Sequence, residues 1–231
     1  MRSRTVKLSV IVPMLNEATA IAAALDAMRA RAPTAEIIVV DGGSDDGSVE
    51  IARPRCDLLI ESSRGRARQM NIGAAAAGGD AFVFVHADTI MPPRFAGDIE
   101  AALRDPGFVG GRFDLQLDDT ALSYRALGAL ISIRSRLMRT ATGDQAIFVR
   151  REVFERMGGF PEIELCEDVA FARQLKRAGR VACLKSRVTT SARRWRKDGL
   201  IRTVLRMWTI KSLFLAGVPP QWLKRHYADT R

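Results

Sequence analysis

Residues 8–17 read LSVIVPMLNE and residues 36–48 read EIIVVDGGSDDGS. Each is a short β-branched burst that stops at polar, turn-forming residues. The pattern returns twice more, so Leu8–Val12, Glu36–Val40, Leu58–Ile60 and Phe82–Val85 are expected strands. Between them, Thr19–Arg31, Asp46–Ala52 and Arg66–Ala77 carry helical spacing or a high alanine content. Strands that are apolar along their whole length and alternate with helices imply a parallel sheet covered on both faces. The expected fold class is therefore α/β, a Rossmann-like, mostly parallel sheet flanked by helices. Ligands of such sheets bind beyond the C-terminal ends of the strands.

The second half is less regular. Val109–Leu117, Ala146–Val149 and Val181–Leu184 are expected strands; Ala121–Leu137, Arg151–Met157 and Asp168–Ala178 are expected helices. No repeat or low-complexity linker divides the chain, which predicts one domain over 1–197 followed by a basic helical tail over 198–231.

The chain has 231 residues, 47% of them hydrophobic and 27% charged, which is ordinary for a soluble globular protein and excludes disordered, collagen-like and disulfide-scaffold classes. Cys56, Cys166 and Cys183 are far apart and form no CxxC pair, so they read as reduced thiols, neither a disulfide framework nor a zinc site. The apolar run Val10 to Leu15 is too short for a signal peptide and contains Pro13. No stretch of about 20 uncharged apolar residues is present, which argues against a spanning helix. The expected location is cytoplasmic, or peripheral on the cytoplasmic face of the membrane.

Charge is the least even property. Residues 1–184 contain 24 basic and 24 acidic side chains, whereas residues 185–231 contain 12 basic and 2 acidic ones, so the net charge of +10 belongs to the C-terminal end. Such asymmetry points to a polyanionic partner. Leu200–Ala216 has helical spacing, with Arg202 and Arg206 on one face, Lys211 off it, and Ile210 and Leu213 intruding. Two readings stand: a helix packed on the domain, or an interfacial helix pressed onto anionic lipid. Few aromatics accompany the tail and no base-reading motif is present, so nucleic acid is not an expected partner.

Four strand ends carry polar clusters: Pro13 to Glu17 with Asn16; Asp41 to Ser48 with Gly43; Arg66 and Arg68 at a helix start; and His86-Ala87-Asp88. Singly each is an ordinary cap or turn. The glycines after the second strand do not form GxGxxG, which disfavours a dinucleotide fold. Together, acid, acid, base and acid at successive strand ends suit a nucleoside diphosphate, with a divalent cation on a carboxylate and arginines neutralising the phosphates.

In this order the motifs resemble the family-2 glycosyltransferases of the GT-A fold: VIVPxxNE at Val10–Glu17, VDGGSDDGS at Val40–Ser48, GRARQMNxGA at Gly65–Ala74, HAD at 86–88, GGF at 158–160, ED at 167–168 and RRW at 193–195. The match covers roughly residues 7–195 and is nearest a bacterial subgroup associated with arsenosugar biosynthesis, similar to diaponeurosporenoate glycosyltransferases. The resemblance implies that Pro13, Asn16, Glu17, Asp41 and Gly43 surround the nucleoside, that Arg66 lies near the diphosphate, and that Arg68, His86 and Ala87 belong to the nucleotide-sugar site, with three roles open for His86: metal ligand, donor to a phosphate or ribose, or packing. Asp88 holds Mg2+ or Mn2+. Asp168, with Glu167 beside it, is the base, and Gly143, Asp144, Gln145, Arg194 and Trp195 line the acceptor and pyrophosphate side. Two departures count. His86 stands where the family's first DxD aspartate belongs, and Asp41-Gly42 replaces a common Asp-Asp, leaving the nucleoside open.

The implied reaction is inverting transfer from a nucleoside-diphosphate sugar, a UDP-sugar first, to a hydroxyl acceptor that a basic tail would suit if it were lipid-like. Two other classes are weighed. A nucleotidyltransferase would want a Gly-rich loop with a lysine after the first strand, where this chain has Pro13–Glu17. A non-catalytic membrane-surface or polyanion-binding protein rests on the tail alone.

Overall fold

The computed structural model describes residues 6–138 and 140–226. In chain order the elements are β1 (Leu8–Met14), α1 (Ile21–Arg31), β2 (Glu36–Asp41), α2 (Ser48–Ala52), β3 (Leu58–Glu61), α3 (Arg66–Ala76), β4 (Ala81–Phe84), β5 (Thr89–Ile90), α4 (Phe95–Leu103), β6 (Phe108–Leu117) and α5 (Leu122–Met138). They continue as β7 (Ile147–Arg150), α6 (Arg151–Met157), α7 (Glu167–Ala178), β8 (Arg180–Thr190), α8 (Arg193–Asp198), α9 (Leu200–Leu215) and α10 (Pro220–His226).

The strands form one sheet in the order β3-β2-β1-β4-β7-β6-β8-β5. The β1–β2, β2–β3 and β1–β4 pairs are parallel, β7 runs antiparallel to β4 and β6, and β8 is parallel to β6 and antiparallel to β5. This is the α/β sheet expected from the sequence, with every antiparallel pair involving β7 or β8.

The unbroken apolar character of β1 and β2 follows from burial on both faces. Successive side chains point to opposite faces. Val10, Val12, Ile37 and Val39 therefore join one core with α1 and Phe95, while Ile11, Ile38 and Val40 join a second with α3, Phe82, Phe84 and Phe154. Each such side chain, fully buried, contributes about 1.5–3 kcal/mol. Helix α3 lies so close to the sheet that a Cβ at Gly73 would meet Ile11 Cγ2 at 2.5 Å, so glycine is what permits that approach.

Several elements were not anticipated, among them β5, α8 and the two that follow. Helix α4 buries Phe95, Ile99 and Leu103 at helical spacing, but Pro92-Pro93 before it reads as an extended turn. Strand β8 runs on to Thr190, because past Leu184 it alternates exposed Lys185 and Arg187 with buried Val188 and Thr190, a pattern with too few apolar residues to mark a strand. The parallel pairs send the ends of β1, β2 and β4 to one edge of the sheet, and antiparallel β7 begins at that same edge, pairing Ile147 with Phe84.

Candidate active site

The first two strand-end loops are bound to each other. Backbone N–H groups of Asn16, Glu17 and Ala18 donate to Ser44 Oγ, Ser48 Oγ and Asp46 Oδ2 at 2.9, 2.8 and 3.0 Å, and Asp45 N–H donates to Asn16 Oδ1 at 3.0 Å. Buried Asp41 accepts from the amides of Gly43 and Ser44, each at 2.9 Å, so its carboxylate shapes its own loop. Pro13 is half-buried at the rim of β1, paired in register with Val40. Beneath them Gln69 of α3 is buried and donates to the carbonyls of Met14 and Val40, both at 2.8 Å, tying the ends of β1 and β2 together. Its signal in the sequence is an amide on the buried side of α3, one of two amides in that helix with Asn71.

On the far side, Arg66 donates to the buried Glu167 carboxylate at 2.9 Å, and Arg68 pairs with Glu162 at 3.1 Å. Asn71 exchanges hydrogen bonds with the backbone of Phe160, locking the Gly158–Phe160 turn against α3. Glu167 thus anchors α7 to α3. Asp168, one residue on, is directed differently: its Oδ2 accepts from Gly143 N–H and its Oδ1 from Val169 N–H, both at 2.7 Å. A Cβ on Gly143 would meet His86 Nε2 at 2.7 Å, so His86, Gly143 and Asp168 are packed together. With Arg66, Phe84, Phe160 and Glu167 they enclose a cavity of about 10 Å³, room for about one water.

Asp88 faces a second cluster. Arg193, at the start of α8, reaches Glu17 Oε2 at 2.6 Å and Asp88 Oδ2 at 3.6 Å, and these carboxylates with the hydrogen bond to Glu17 raise its already high pKa against the effect of burial. Arg193 was not among the expected site residues, although it is the first residue of the RRW motif. Arg194 lies within α8, its side chain outside the described residues. Trp195 is buried in the first core, as is Ala87, and Gln145 is fully buried, held by Ser135 and Thr142, so these three support the site from behind.

Asp144 and two cations add charge beside Asp168. Burial, reinforced by the Asp168 carboxylate, raises the Asp144 carboxyl above its ordinary value, against a hydrogen bond to Thr142 and the charge of Arg134. Burial together with the Asp168 and Glu167 carboxylates pushes the Cys166 thiol up to about 12, so it stays protonated and unreactive at neutral pH. Burial, then the charge of Arg134, lowers Lys211 of α9, while Asp168, Asp144 and Cys166 oppose that shift. Asn16, Ala146 and Cys166 all border this end of the sheet with φ values of 54°, 48° and 63°. Strained backbone of this kind persists where the surrounding structure over-determines it.

Among the described residues no group of three or more His, Cys, Asp or Glu side chains forms a metal cage. The donor chemistry still fits a hard dication: Asp88 is a partly exposed carboxylate beside Glu17, and a guanidinium already rests between the two.

Residues 9–157 match the family described as glycosyl transferase family 2. The chain belongs to that family. Similar curated proteins include the uncharacterized glycosyltransferase YibD of Escherichia coli K12, 34% identical over 113 residues, or 46% of this chain and 33% of that protein. The glycosyltransferase AglE of Haloferax volcanii is 29% identical over 168 residues, 66% of this chain and 55% of that protein. The chain thus spans between a third and just over half of these curated relatives. Among solved structures, the mannosyltransferase PcManGT of Pyrobaculum calidifontis, in complex with GDP-Man and Mn2+, superposes with a TM-score of 0.68 at 23% identity, covering 91% of this chain and 63% of that one. Residues 1–349 of Staphylococcus aureus TarS in complex with UDP give 0.62 at 20% identity, covering 80% and 60%. The family-2 chain therefore has the GT-A fold.

Proposed function

We propose that the protein transfers a sugar from a nucleoside-diphosphate donor, a UDP-sugar first, to a hydroxyl acceptor with inversion at the anomeric carbon. The observation that supports it most is the position of Asp168. Its carboxylate is held by two backbone N–H groups at the same sheet edge that carries Glu17, Asp41 and Asp88. Held so, it can take the proton of an acceptor hydroxyl as that oxygen attacks the anomeric carbon. Base and leaving diphosphate on opposite faces give inversion. The linked loops carrying Asn16, Asp41 and Gly43 receive the nucleoside, and Arg66 and Arg68 contribute positive charge along the diphosphate. Asp88 would hold Mg2+ or Mn2+, which when bound supplies electrostatic stabilisation to the departing diphosphate.

Relatives support the donor class: PcManGT is in complex with GDP-Man, and TarS with UDP and with UDP-GlcNAc. The motif order supports the superfamily, and placement in the arsenosugar-associated subgroup is proposed on the overall resemblance alone. Calorimetric titration of UDP, GDP and dTDP with Mn2+ or Mg2+ tests the reading, since it requires one nucleotide to bind in a cation-dependent way that Asp88→Ala weakens. Absence of binding by all three would refute it.

We also propose that the enzyme works at the cytoplasmic face of an anionic membrane. No helix of the described residues is long and apolar enough to cross one. Helix α9 instead exposes Ile201, Leu205 and Trp208, at 74%, 60% and 48%, beside Arg202, and α5 exposes Leu130, Ile133 and Leu137. An adjoining side of α9 packs Val204 and Met207 on the domain. The tail over 198–231 is thus proposed as lipid-facing and docked through its described residues 198–226; residues 227–231 lie outside the described residues. Replacing Leu205 and Trp208 by Gln should reduce sedimentation with phosphatidylglycerol vesicles at low salt, and unchanged partitioning would remove this part.

A further inference from the structure

Lys211 departs from the basic face shared by Arg202 and Arg206, and its course in the fold gives the reason. It turns inward, and its Nζ is enclosed by protein with no hydrogen-bond partner among the described residues. On α5, Arg134 Nε is enclosed in the same way, as is Oδ1 of Asp144 on the turn before β7. These side chains interact electrostatically with one another and, through Asp144 and Lys211, with Asp168. Neither cation closes an ion pair among the described residues, whereas nearby Arg66 and Arg193 both do. Two enclosed cationic donors with unmet hydrogen bonds beside the proposed base are therefore left for something outside the chain. An unmet buried donor is costly, the more so when charged.

The order of strands separates this place from the donor's. Glu17 and Asp88 follow β1 and β4, Asp144 precedes β7, and α5 lies on β6, one strand further out, where Ser132 bonds the backbone of Leu115. Arg134, on the helix over β6, thus lies on the far side of β7 from Glu17 and Asp88. We infer that Arg134 and Lys211 form a subsite for an anionic oxyacid group, phosphoryl or carboxyl, carried by the acceptor beside Asp168. Only the assignment to the acceptor rests on the function proposed above; the anion site itself does not. Charged N–H donors on an oxyanion supply strong, directional contacts. They seat the acceptor so that its hydroxyl meets the base, and α9 becomes a wall of the site as well as a docked tail.

The test uses the full chain and two probes, phenyl phosphate and benzoate, titrated calorimetrically into wild type, Lys211→Met, Arg134→Gln, Lys211→Arg and Arg193→Gln, with circular dichroism confirming the fold of each. At least one probe is expected to bind wild type, to weaken about tenfold or more in Lys211→Met and in Arg134→Gln, and to be retained in Lys211→Arg and Arg193→Gln. The probe that binds identifies the group as phosphoryl or carboxyl. Binding by neither probe, binding unchanged in both neutral variants, or loss only in Arg193→Gln would overturn the subsite. If no nucleotide binds while the neutral variants still lose the probe, the transferase reading fails and the anion site stands.

Discussion

Gly143 N–H donates a 2.7 Å hydrogen bond to Asp168 Oδ2 across 25 positions of sequence. That bond joins the turn before β7 to the first turn of α7, and places His86 against the same glycine. The carboxylate is therefore aimed by backbone, which resists reorientation better than a side-chain partner would.

Gly143→Ala tests that relationship. The new Cβ would sit 2.7 Å from His86 Nε2 and 3.6 Å from Asp168 Oδ2, so either the imidazole or the turn must shift. Misplacement of a reacting group by about 1 Å can cost about 10²-fold in rate. Transfer should fall by about that factor, with a thermal midpoint close to wild type because no core side chain is displaced. Full activity would show that the Gly143 bond does not position Asp168.

Asp168→Asn separates chemistry from structure. The amide keeps an oxygen for one backbone N–H but cannot take a proton. Turnover should drop about 10²–10⁴-fold, with nucleotide affinity by calorimetry unchanged because the nucleoside loops do not touch this residue. A variant that still turns over normally would require another base.

What the sequence disclosed and what it hid divide along chain separation. The ends of β1, β2 and β4 were legible because an apolar burst cut off by Asn-Glu, Asp-Gly or His-Ala-Asp is a local signal, as was the first turn of α7 at Glu167-Asp168. Contacts made across the fold leave no such mark. Gln69 matters through carbonyls 55 and 29 residues away, and Arg193 through Glu17, 176 residues away. Lys211 left one trace, its position off the basic face of α9, whose meaning emerged only with the packing of that helix. Glu167 and Asp168 are adjacent and alike in sequence, yet one is spent on Arg66 while the other is held at the cavity beside Gly143.

Arg193→Gln should change cation binding. The guanidinium lies 3.6 Å from Asp88 Oδ2 and 2.6 Å from Glu17 Oε2, so it competes with any dication for those oxygens. A partly exposed pair of this kind is worth about 0.2–1 kcal/mol. Removing it should tighten Mn2+ binding without nucleotide by a small factor, up to about fivefold, read by electron paramagnetic resonance of free Mn2+. Weaker Mn2+ binding in the variant would mean that Arg193 organises the carboxylates and does not compete for them.

Asp144→Asn should alter the pH dependence of stability. Burial, then the Asp168 charge, raises this carboxyl in the folded state, so the fold binds its proton more tightly than the unfolded chain does. The stability so gained is complete below the unfolded value of about 3.9 and is lost as pH rises through the raised folded value. Asparagine has no proton to lose. Thermal melts from about pH 4 upward should therefore fall less steeply for the variant than for wild type. Parallel profiles would place Asp144 in contact with water.

Asp114→Asn probes the fold behind the site. Arg112 is fully buried, donates to Asp114 Oδ1 at 2.8 Å and reaches the carbonyls of Phe113 and Ser132; Arg136 grips both oxygens of the same carboxylate, Nε on Oδ1 at 3.1 Å and Nη2 on Oδ2. Burial lowers the pKa of Arg112, but a guanidinium keeps its charge at neutral pH, so that charge needs a partner inside the fold. Removing the anion leaves a guanidinium enclosed between β6 and α5 without a carboxylate, a change that costs about 3–5 kcal/mol when a buried pair is broken. The urea midpoint should fall by a margin of that size, with the slope of the transition unchanged. Because Ser132 and Ser135 on the same helix hold β6 and Gln145, the loss should also loosen the Gly143–Gln145 turn and be seen as faster amide exchange at Gly143. A shift below about 1 kcal/mol would show that the two carbonyls satisfy Arg112 without the carboxylate.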